Sequence, residues 1–431
     1  MPQLSARHPT RIIKMELYEN KTEPEKAVLV AVDTGEYDCD SSLAELEELA
    51  DTAGAQVVGF ITQKRDKPDN ASFLGSGRLE ELAEYCENNE IDLVIVDNEL
   101  SPVQLRNMER AVDTRVIDRT TLILDIFAGR AVSNEGKLQV ELAQLKYSLP
   151  RLTGQGSRLS RQGAGIGTRG PGETKLETDK RHIRRRISSL ESKLDELEKR
   201  RNLTRARREK TGVETVAIVG YTNAGKSTLL NTLTDAGVLA QDKLFATLDP
   251  TARSLTLPDG RNVVLIDTVG FIRRLPHELV EAFKSTLEEA ASASVIINVC
   301  DCSNPECREH IEVTQKLLTE LGCEDIPVVT ALNKCDLPGV CEDIPPVSGE
   351  TVRISAKTGE GLDELLLAVQ KALPPTRMRV KMLIPYSDGA AAAALRRDGA
   401  VHEESFTPEG VRFDVTAPAA LLDKYKDYIT A

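Results

Sequence analysis

The first readable pattern in the chain is KAVLVAVD, residues 26–33, an apolar strand-like run. A helical pattern follows in LAELEELADTAG, and the alternation then repeats through QVVGFIT, GRLEELAEYCENN, DLVIVD, SPVQLRNMERAV and TRVID. Ser101 followed by Pro102 reads as a helix start, an N-cap and then a proline at the first helical position. Strands alternating with helices predict a parallel α/β domain over residues 1–130. Beyond it the period changes. Leu138, Leu142, Leu145 and Leu149 are spaced 4, 3, 4, and Ile183, Ile187, Leu190, Leu194 and Leu197 are spaced 4, 3, 4, 3, so each set forms a heptad seam. Between them TGQGSRLSRQGAGIGTRGPGET is too rich in glycine to be helical. The two seams predict an antiparallel, coiled-coil-like hairpin over residues 131–210 with its tip at 153–172. Packing of both stripes on neighbouring domains is the alternative, because a stripe does not name its partner.

Over residues 211–374 strand-like and helical segments alternate again, with TVAIVG, VVLIDT, SVIINVCD, PVVTALN and TVRIS as the strands. After Pro374 and Pro375, the segments RVKMLIPY, SDGAAAAALRRDG, VHEESFT, GVRFDVTAP and ALLDKYKDYI predict a small β-α-β-β-α unit over 375–431. The fold class is α/β: a P-loop domain preceded by a parallel α/β domain with a helical hairpin and followed by a small α+β domain.

Composition adds limits. At 431 residues the chain has room for about three domains, and 40% apolar with 29% charged residues is ordinary globular usage. No run of 18 apolar residues occurs and the first 20 residues lack a signal-peptide core, so a cytoplasmic monomer without stable membrane insertion is expected, a peripheral membrane position being left open. The eight cysteines include no C-x-x-C, and Cys300, Cys302 and Cys307 match no common zinc spacing, which points to reduced thiols. A net charge of −13 argues against nucleic acid until its distribution is read. Residues 151–210 hold 18 Lys and Arg against 8 Asp and Glu, a local balance of +10 that leaves −23 for the rest.

The chemistry is concentrated between Gly220 and Lys357. Gly220, Tyr221, Thr222, Asn223, Ala224, Gly225, Lys226, Ser227 and Thr228 fit G-x-x-x-x-G-K-[ST] between a strand and a helix, where backbone N–H groups can surround a phosphate. Lys226 would neutralise β- and γ-phosphate oxygens and Ser227 would ligate Mg²⁺. Asp267, Thr268, Val269 and Gly270 fit D-x-x-G: Asp267 would hold the metal through water and the Gly270 N–H would sense the γ-phosphate. Asn333, Lys334, Cys335 and Asp336 fit N-K-x-D. The Asp336 carboxylate can accept from N1–H and the exocyclic amine of guanine, a donor pair that adenine lacks. Ser355, Ala356 and Lys357 match the loop that closes on the base from the other side. Lys226, Asp267 and Gly270 are the catalytic candidates.

The first switch falls in LFATLDPTAR, where spacing alone allows Thr247 or Thr251 as the second hydroxyl on Mg²⁺. Directly after D-x-x-G, Phe271 stands where a glutamine could orient the attacking water, so slow intrinsic hydrolysis accelerated by a partner is expected. Asn223 occupies the position that ligates K⁺ in several potassium-stimulated GTPases, which makes K⁺ a candidate second ion.

The segments GSGRLEEL, DRTTLILDIFAGRA, KLQVELAQLKYSLPRL and GAGIGTRGPGETKLETDKR, followed by this P-loop, resemble the HflX family of ribosome-associated GTPases over nearly the whole chain. The resemblance implies a GTP/GDP site and binding to the large ribosomal subunit, with action in splitting or rescuing stalled or stressed ribosomes or in subunit maturation. Likeness to the F-[AT]-T-L-[DE] pattern of related GTPases selects Thr247 as the metal ligand and places Phe245, Ala246, Leu248 and Asp249 beside it. The resemblance also implies ATP binding by the N-terminal region, where no nucleotide motif is legible. Independently of it, Arg158, Arg161 and Arg169 on a glycine-rich tip suit close approach to rRNA phosphates and bases, and the arginines of the second hairpin helix suit a phosphate backbone. A regulatory GTP switch acting on a protein or membrane partner is the competing reading.

Overall fold

The structure, a computed structural model, describes residues 24–152, 171–211, 213–234, 244–245, 251–274, 290–338, 347, 349–375 and 377–430. Its first sheet is parallel, with strands β1 (Lys26–Asp33), β2 (Gln56–Lys64), β3 (Leu93–Val96) and β4 (Arg115–Asp118) in the order β2-β1-β3-β4. The apolar run of β1 is wholly buried from Ala27 to Val32, with alternate side chains entering the cores on the two faces. Helices α1 (Cys39–Ala53) and α4 (Arg119–Arg130) cover one face, and α2 (Ser76–Asn89) and α3 (Pro102–Val112) cover the other. Ser101 caps α3 in a reciprocal box: its Oγ accepts from Gln104 N at 3.2 Å while Gln104 Oε1 accepts from Ser101 N at 2.9 Å.

The hairpin consists of α5 (Asn134–Arg151) and α6 (Pro171–Thr211), the latter 41 residues long. Helix α6 starts earlier than the glycine content suggests, since Pro171 to Thr174 already form its first turn. Proline is tolerated at a helix start because that position needs no N–H. Along the seam Leu142 and Leu190 are buried while Leu138, Leu145, Leu149, Ile183, Ile187, Leu194 and Leu197 are half-buried. Three cross-helix ion pairs flank it: Arg186 with Glu141 at 2.6 Å, Lys146 with Glu191 at 3.0 Å and Arg201 with Glu135 at 2.9 Å. Two arginines assigned to phosphate recognition, Arg186 and Arg201, therefore hold the hairpin together, whereas Arg184 and Arg185 are exposed. The tip with Arg158, Arg161 and Arg169 lies outside the described residues. Helix α5 also turns Val140, Ala143 and Tyr147, none of them in its leucine stripe, into the core of the first sheet.

Strand β5 (Glu214–Gly220) begins three residues after α6 ends and leads to α7 (Lys226–Thr234). It lies inside a sheet of order β10-β9-β8-β5-β7-β6, made with β6 (Thr251–Thr256), β7 (Asn262–Asp267), β8 (Val295–Asp301), β9 (Val328–Asn333) and β10 (Glu350–Arg353). All neighbours run parallel except β6, which pairs antiparallel with β7. Helices α8 (Cys307–Glu320) and α9 (Leu362–Ala372) pack on this sheet. Strand β6 is a departure from expectation, because Thr251 to Arg253 were read as switch loop. An edge strand with mostly exposed side chains carries no continuous apolar run to betray it.

The last unit holds β11 (Arg377–Ile384), α10 (Gly389–Asp398), β12 (Ala400–Thr407), β13 (Gly410–Pro418), α11 (Ala419–Lys424) and β14 (Ile429–Thr430), with sheet order β12-β13-β11-β14. The final helix is shorter than its pattern suggested, and β14 instead pairs Ile429 with Met382. Among the described residues no helix is long and apolar enough to cross a membrane.

Leu190 is the one wholly buried residue of the α6 seam among those described. Leu190→Ala should cost about 2–3 kcal/mol, read as lost hydrogen-exchange protection in α5 and α6. Replacing half-buried Leu194 should cost less than half of that.

Candidate nucleotide site

Strands β5, β7, β8 and β9 end at Gly220, Asp267, Asp301 and Asn333, which places the motifs together outside the carboxyl edge of a parallel sheet, where α/β folds bind ligands. The P-loop keeps its glycines for steric reasons. At Gly220, φ +145°, a Cβ would lie 2.2 Å from the Val299 carbonyl oxygen; at Gly225, φ +96°, it would lie 2.2 Å from Asn333 Nδ2. Asn223 between them is exposed and left-handed at φ 60°. Lys226 opens α7, and its buried Nζ donates to the carbonyl oxygens of Gly220 at 3.0 Å and Tyr221 at 2.6 Å. Burial pushes its ammonium down to about 8 against the opposing pull of Asp267, which still leaves it mostly charged at neutral pH to meet an arriving phosphate.

Asn333 joins three motifs through one buried amide. Its Nδ2 donates to the Ala224 carbonyl at 2.8 Å and its Oδ1 accepts from Ala356 N at 2.9 Å, which ties N-K-x-D to the P-loop and to the Ser355–Lys357 loop. Lys334, at φ 65°, turns its Nζ to Asp301 Oδ2 at 2.7 Å. Asp336 stands exposed beyond it, as a carboxylate that receives a base from solvent must. Ser355 is buried and accepts from Thr358 N at 3.1 Å, shaping the loop that carries Lys357.

Ser227 Oγ donates to Asp267 Oδ2 at 2.9 Å, so a hydroxyl and a carboxylate meet beside the P-loop. This all-oxygen pair suits Mg²⁺, which binds through few protein ligands and completes its shell with water and phosphate. Thr268 is held for structure: its Oγ1 donates to the Ile218 carbonyl at 2.7 Å, leaving only backbone to face a nucleotide. A Cβ on Gly270 would meet Thr222 Cγ2 at 2.8 Å and Lys226 Nζ at 3.0 Å, so glycine is the residue that lets this turn approach the P-loop. Phe271 is buried among Tyr221, Ala290 and Ile296, and its backbone clamps the P-loop through Thr222 N to its own oxygen at 2.7 Å and its own N to Gly220 O at 3.1 Å. Thr247 lies outside the described residues, together with Ala246, Leu248 and Asp249. The other threonine that spacing allowed, Thr251, is paired in β6 opposite Asp267.

A second set of residues carried no motif. Tyr221 Oη donates to Glu45 Oε2 at 2.7 Å and accepts from Arg273 N at 2.8 Å, while its ring stacks on His310 at 3.7 Å. Burial, with a smaller push from Arg273, lowers His310 to about 4, so a neutral imidazole faces the phenol at neutral pH. Glu45 Oε1 pairs with Arg119 at 2.7 Å, Arg119 with Asp97 Oδ1 at 2.9 Å, and Asp97 Oδ2 with Arg274, which also lies over the Tyr37 ring. Phe245 packs edge-on against Phe127 at 4.6 Å, and Val269 and Ile272 join the same core. The segments on both sides of D-x-x-G are thus fastened to the first domain. The hint in sequence was slight: two arginines two residues beyond the motif and single acids within α1 and just after β3.

Comparison with known proteins agrees with this geometry. Models described as GTP-binding GTPase N-terminal, GTP-binding GTPase middle region and 50S ribosome-binding GTPase match residues 40–128, 130–208 and 215–334. The GTPase HflX of Caldanaerobacter subterraneus subsp. tengcongensis is 52% identical over 405 residues, 94% of this chain and 94% of that protein. The chain belongs to the HflX family. It is accordingly a GTP-hydrolysing enzyme. The HflX of Escherichia coli is 42% identical over 393 residues, 90% of this chain and 92% of that one. A GTP-binding protein from Sulfolobus solfataricus, crystallised in complex with GDP, aligns at 25% identity over 81% of this chain and 98% of its own, with a TM-score of 0.43.

Asn333→Ala removes both arms of the bridge and leaves a buried carbonyl and a buried N–H unpaired, at about 2–3 kcal/mol together. Affinity for a fluorescent GDP analogue should fall about 30- to 100-fold, while the circular dichroism of the chain stays unchanged.

Proposed function

We propose that this HflX-family GTPase acts on the ribosome: a Mg²⁺-dependent enzyme that docks on the large subunit through its hairpin and splits or rescues stalled or stressed ribosomes, or takes part in subunit maturation. The observation that carries the reading is a long basic hairpin whose helix α6 ends directly before the strand leading to the P-loop. Exposed Arg184 and Arg185 and the tip residues Arg158, Arg161 and Arg169 would meet phosphates and unstacked bases of rRNA, a salt-dependent contact. The name of the 50S ribosome-binding model that matches residues 215–334 supports the same partner. The −23 balance of the remaining chain favours orienting this segment, and not another face, toward RNA.

In the site, the P-loop N–H groups and Lys226 would hold the phosphates, Ser227 and Thr247 would ligate the metal, and Asp267 would hold it through water. Bound Mg²⁺ would neutralise charge developing on the β- and γ-oxygens. Gly270 brings its N–H toward the γ-phosphate, and Asp336 selects guanine between Asn333 and the Ser355–Lys357 loop. Asn223 would ligate a K⁺ ion beside the phosphates, and equal turnover in K⁺ and Na⁺ would remove that ion from the scheme. With Phe271 turned into the core, no side chain at that position can orient water, so intrinsic turnover is slow and the ribosome supplies what is missing. The enzyme works in the cytoplasm, as a monomer until it meets the subunit.

Isolated large subunits should raise turnover at least about tenfold, a modest demand beside the effect of known GTPase partners. Unchanged turnover would refute the ribosomal assignment. Replacing Arg158, Arg161 and Arg169 together by Ala should weaken co-sedimentation and flatten its dependence on salt, since fewer phosphate contacts release fewer counterions, while GTP affinity is retained. The guanine assignment has its own test: Asp336→Asn should lose GTP affinity by at least about a hundredfold and gain affinity for xanthosine nucleotides, whose base offers an acceptor in place of the exocyclic amine.

A further inference from the structure

Four cysteines gather at the end of β8, beside the segment that selects guanine. Cys300, Cys302 and Cys307 are buried with Ile311 and Leu332, and half-buried Cys335 packs against them. Cys335 is the variable residue of N-K-x-D, between Lys334 and Asp336. Its Sγ lies 3.3 Å from Cys302 Sγ. Cys302 also donates from both its N–H and its thiol to the Asn333 carbonyl, at 3.0 and 2.8 Å. The two sulfurs thus touch inside the turn that holds Asn333 on one side and Asp336 on the other.

We propose that Cys302 and Cys335 are a modification site, a thiol pair that peroxide converts to a disulfide and that thereby disables guanine-nucleotide binding. The inference rests on the guanine role assigned above to Asn333 and Asp336. The Cys335 thiolate attacks one peroxide oxygen; the O–O bond breaks and the departing hydroxide takes a proton to become water, leaving a sulfenic acid on Cys335. Cys302 Sγ then attacks the Cys335 sulfur, its proton leaves with the displaced hydroxide as a second water, and two electrons have passed to peroxide. The order follows from access, since Cys335 is half-buried and Cys302 is sealed beneath it. Burial, with the contact to Cys335, also pushes the Cys302 thiol up to about 12, which suits the resolving partner and not the attacking one.

Closing the bond changes the turn. A disulfide is about 2.05 Å long, so the sulfurs must approach by about 1.2 Å, and the Cys302 thiol stops donating to Asn333. The segment is short and already left-handed at Lys334, φ 65°, so little backbone is available to absorb the shift before it reaches Asp336 or the Asn333 bridge. Because the donor pair on guanine needs a fixed carboxylate, a displacement of this size weakens binding.

The test uses the full chain, first reduced and then treated with hydrogen peroxide, with affinity read by a fluorescent GDP analogue. The expected result is a Cys302–Cys335 linked peptide in mass spectrometry, a tenfold or greater loss of affinity, and recovery with dithiothreitol. Cys302→Ser keeps a hydroxyl that can donate to Asn333, so it should bind as the reduced wild type does and ignore peroxide. Peptide mapping of the wild type settles the linkage even if that variant folds poorly. Linkage of Cys335 to Cys341, which lies outside the described residues, no linkage at all, or linkage with unchanged affinity would each overturn the proposal. The reduced wild type and Asp336→Asn in the same assay report on the guanine assignment alone.

Discussion

The side-chain amide of Asn333 is the constraint on which the rest of the site depends. Three segments far apart in sequence must meet to within hydrogen-bond distance, and a single buried group donates to the P-loop and accepts from the Ser355–Lys357 loop. Because it sits in the path of any side chain on Gly225, it also dictates glycine in the P-loop. Phosphate recognition and base recognition are therefore not independent modules. A disturbance at the base end reaches the phosphate end through two hydrogen bonds, and the same logic makes the neighbouring thiol pair a sensitive place for chemistry.

A second constraint runs between domains. The chain Tyr221, Glu45, Arg119, Asp97, Arg274 links the P-loop and the segment after D-x-x-G to the first sheet through charges that are largely buried. Buried charges of this kind are retained only when every partner is present, since removing one leaves another stranded at several kcal/mol. Together with Phe245, Val269 and Ile272 in the first-domain core, they make the position of the switch segments a property of two domains at once.

Much of this was legible from residues alone, and the reasons are physical. β1 and the central strands of the second sheet are buried on both faces, so each is a continuous apolar run; the seam of α5 and α6 repeats at the heptad period. The nucleotide motifs were legible because phosphate and guanine demand fixed residue types at fixed spacing. What escaped had no such demand. β6 is an exposed edge and β14 is two residues long. The interdomain network draws single residues from five places with no periodicity, and the inward turn of Phe271 depends on a core that no local pattern encodes. The sharing of arginines in α6 between partner helix and surface likewise depends on which side α5 occupies.

Helix α6 has a mechanical consequence. At 1.5 Å of rise per residue its 41 residues make an arm of about 60 Å. The arm is fastened to α5 from Arg201 and Glu135 near its base out to Arg186 and Glu141, and it runs almost directly into β5, whose last residue opens the P-loop. A tilt of only about five degrees at that base carries the far end through about 5 Å over such a length. The geometry is that of a lever: a small rearrangement at the nucleotide becomes a large stroke at the other end, and a large surface pressing on that end has mechanical advantage over the nucleotide.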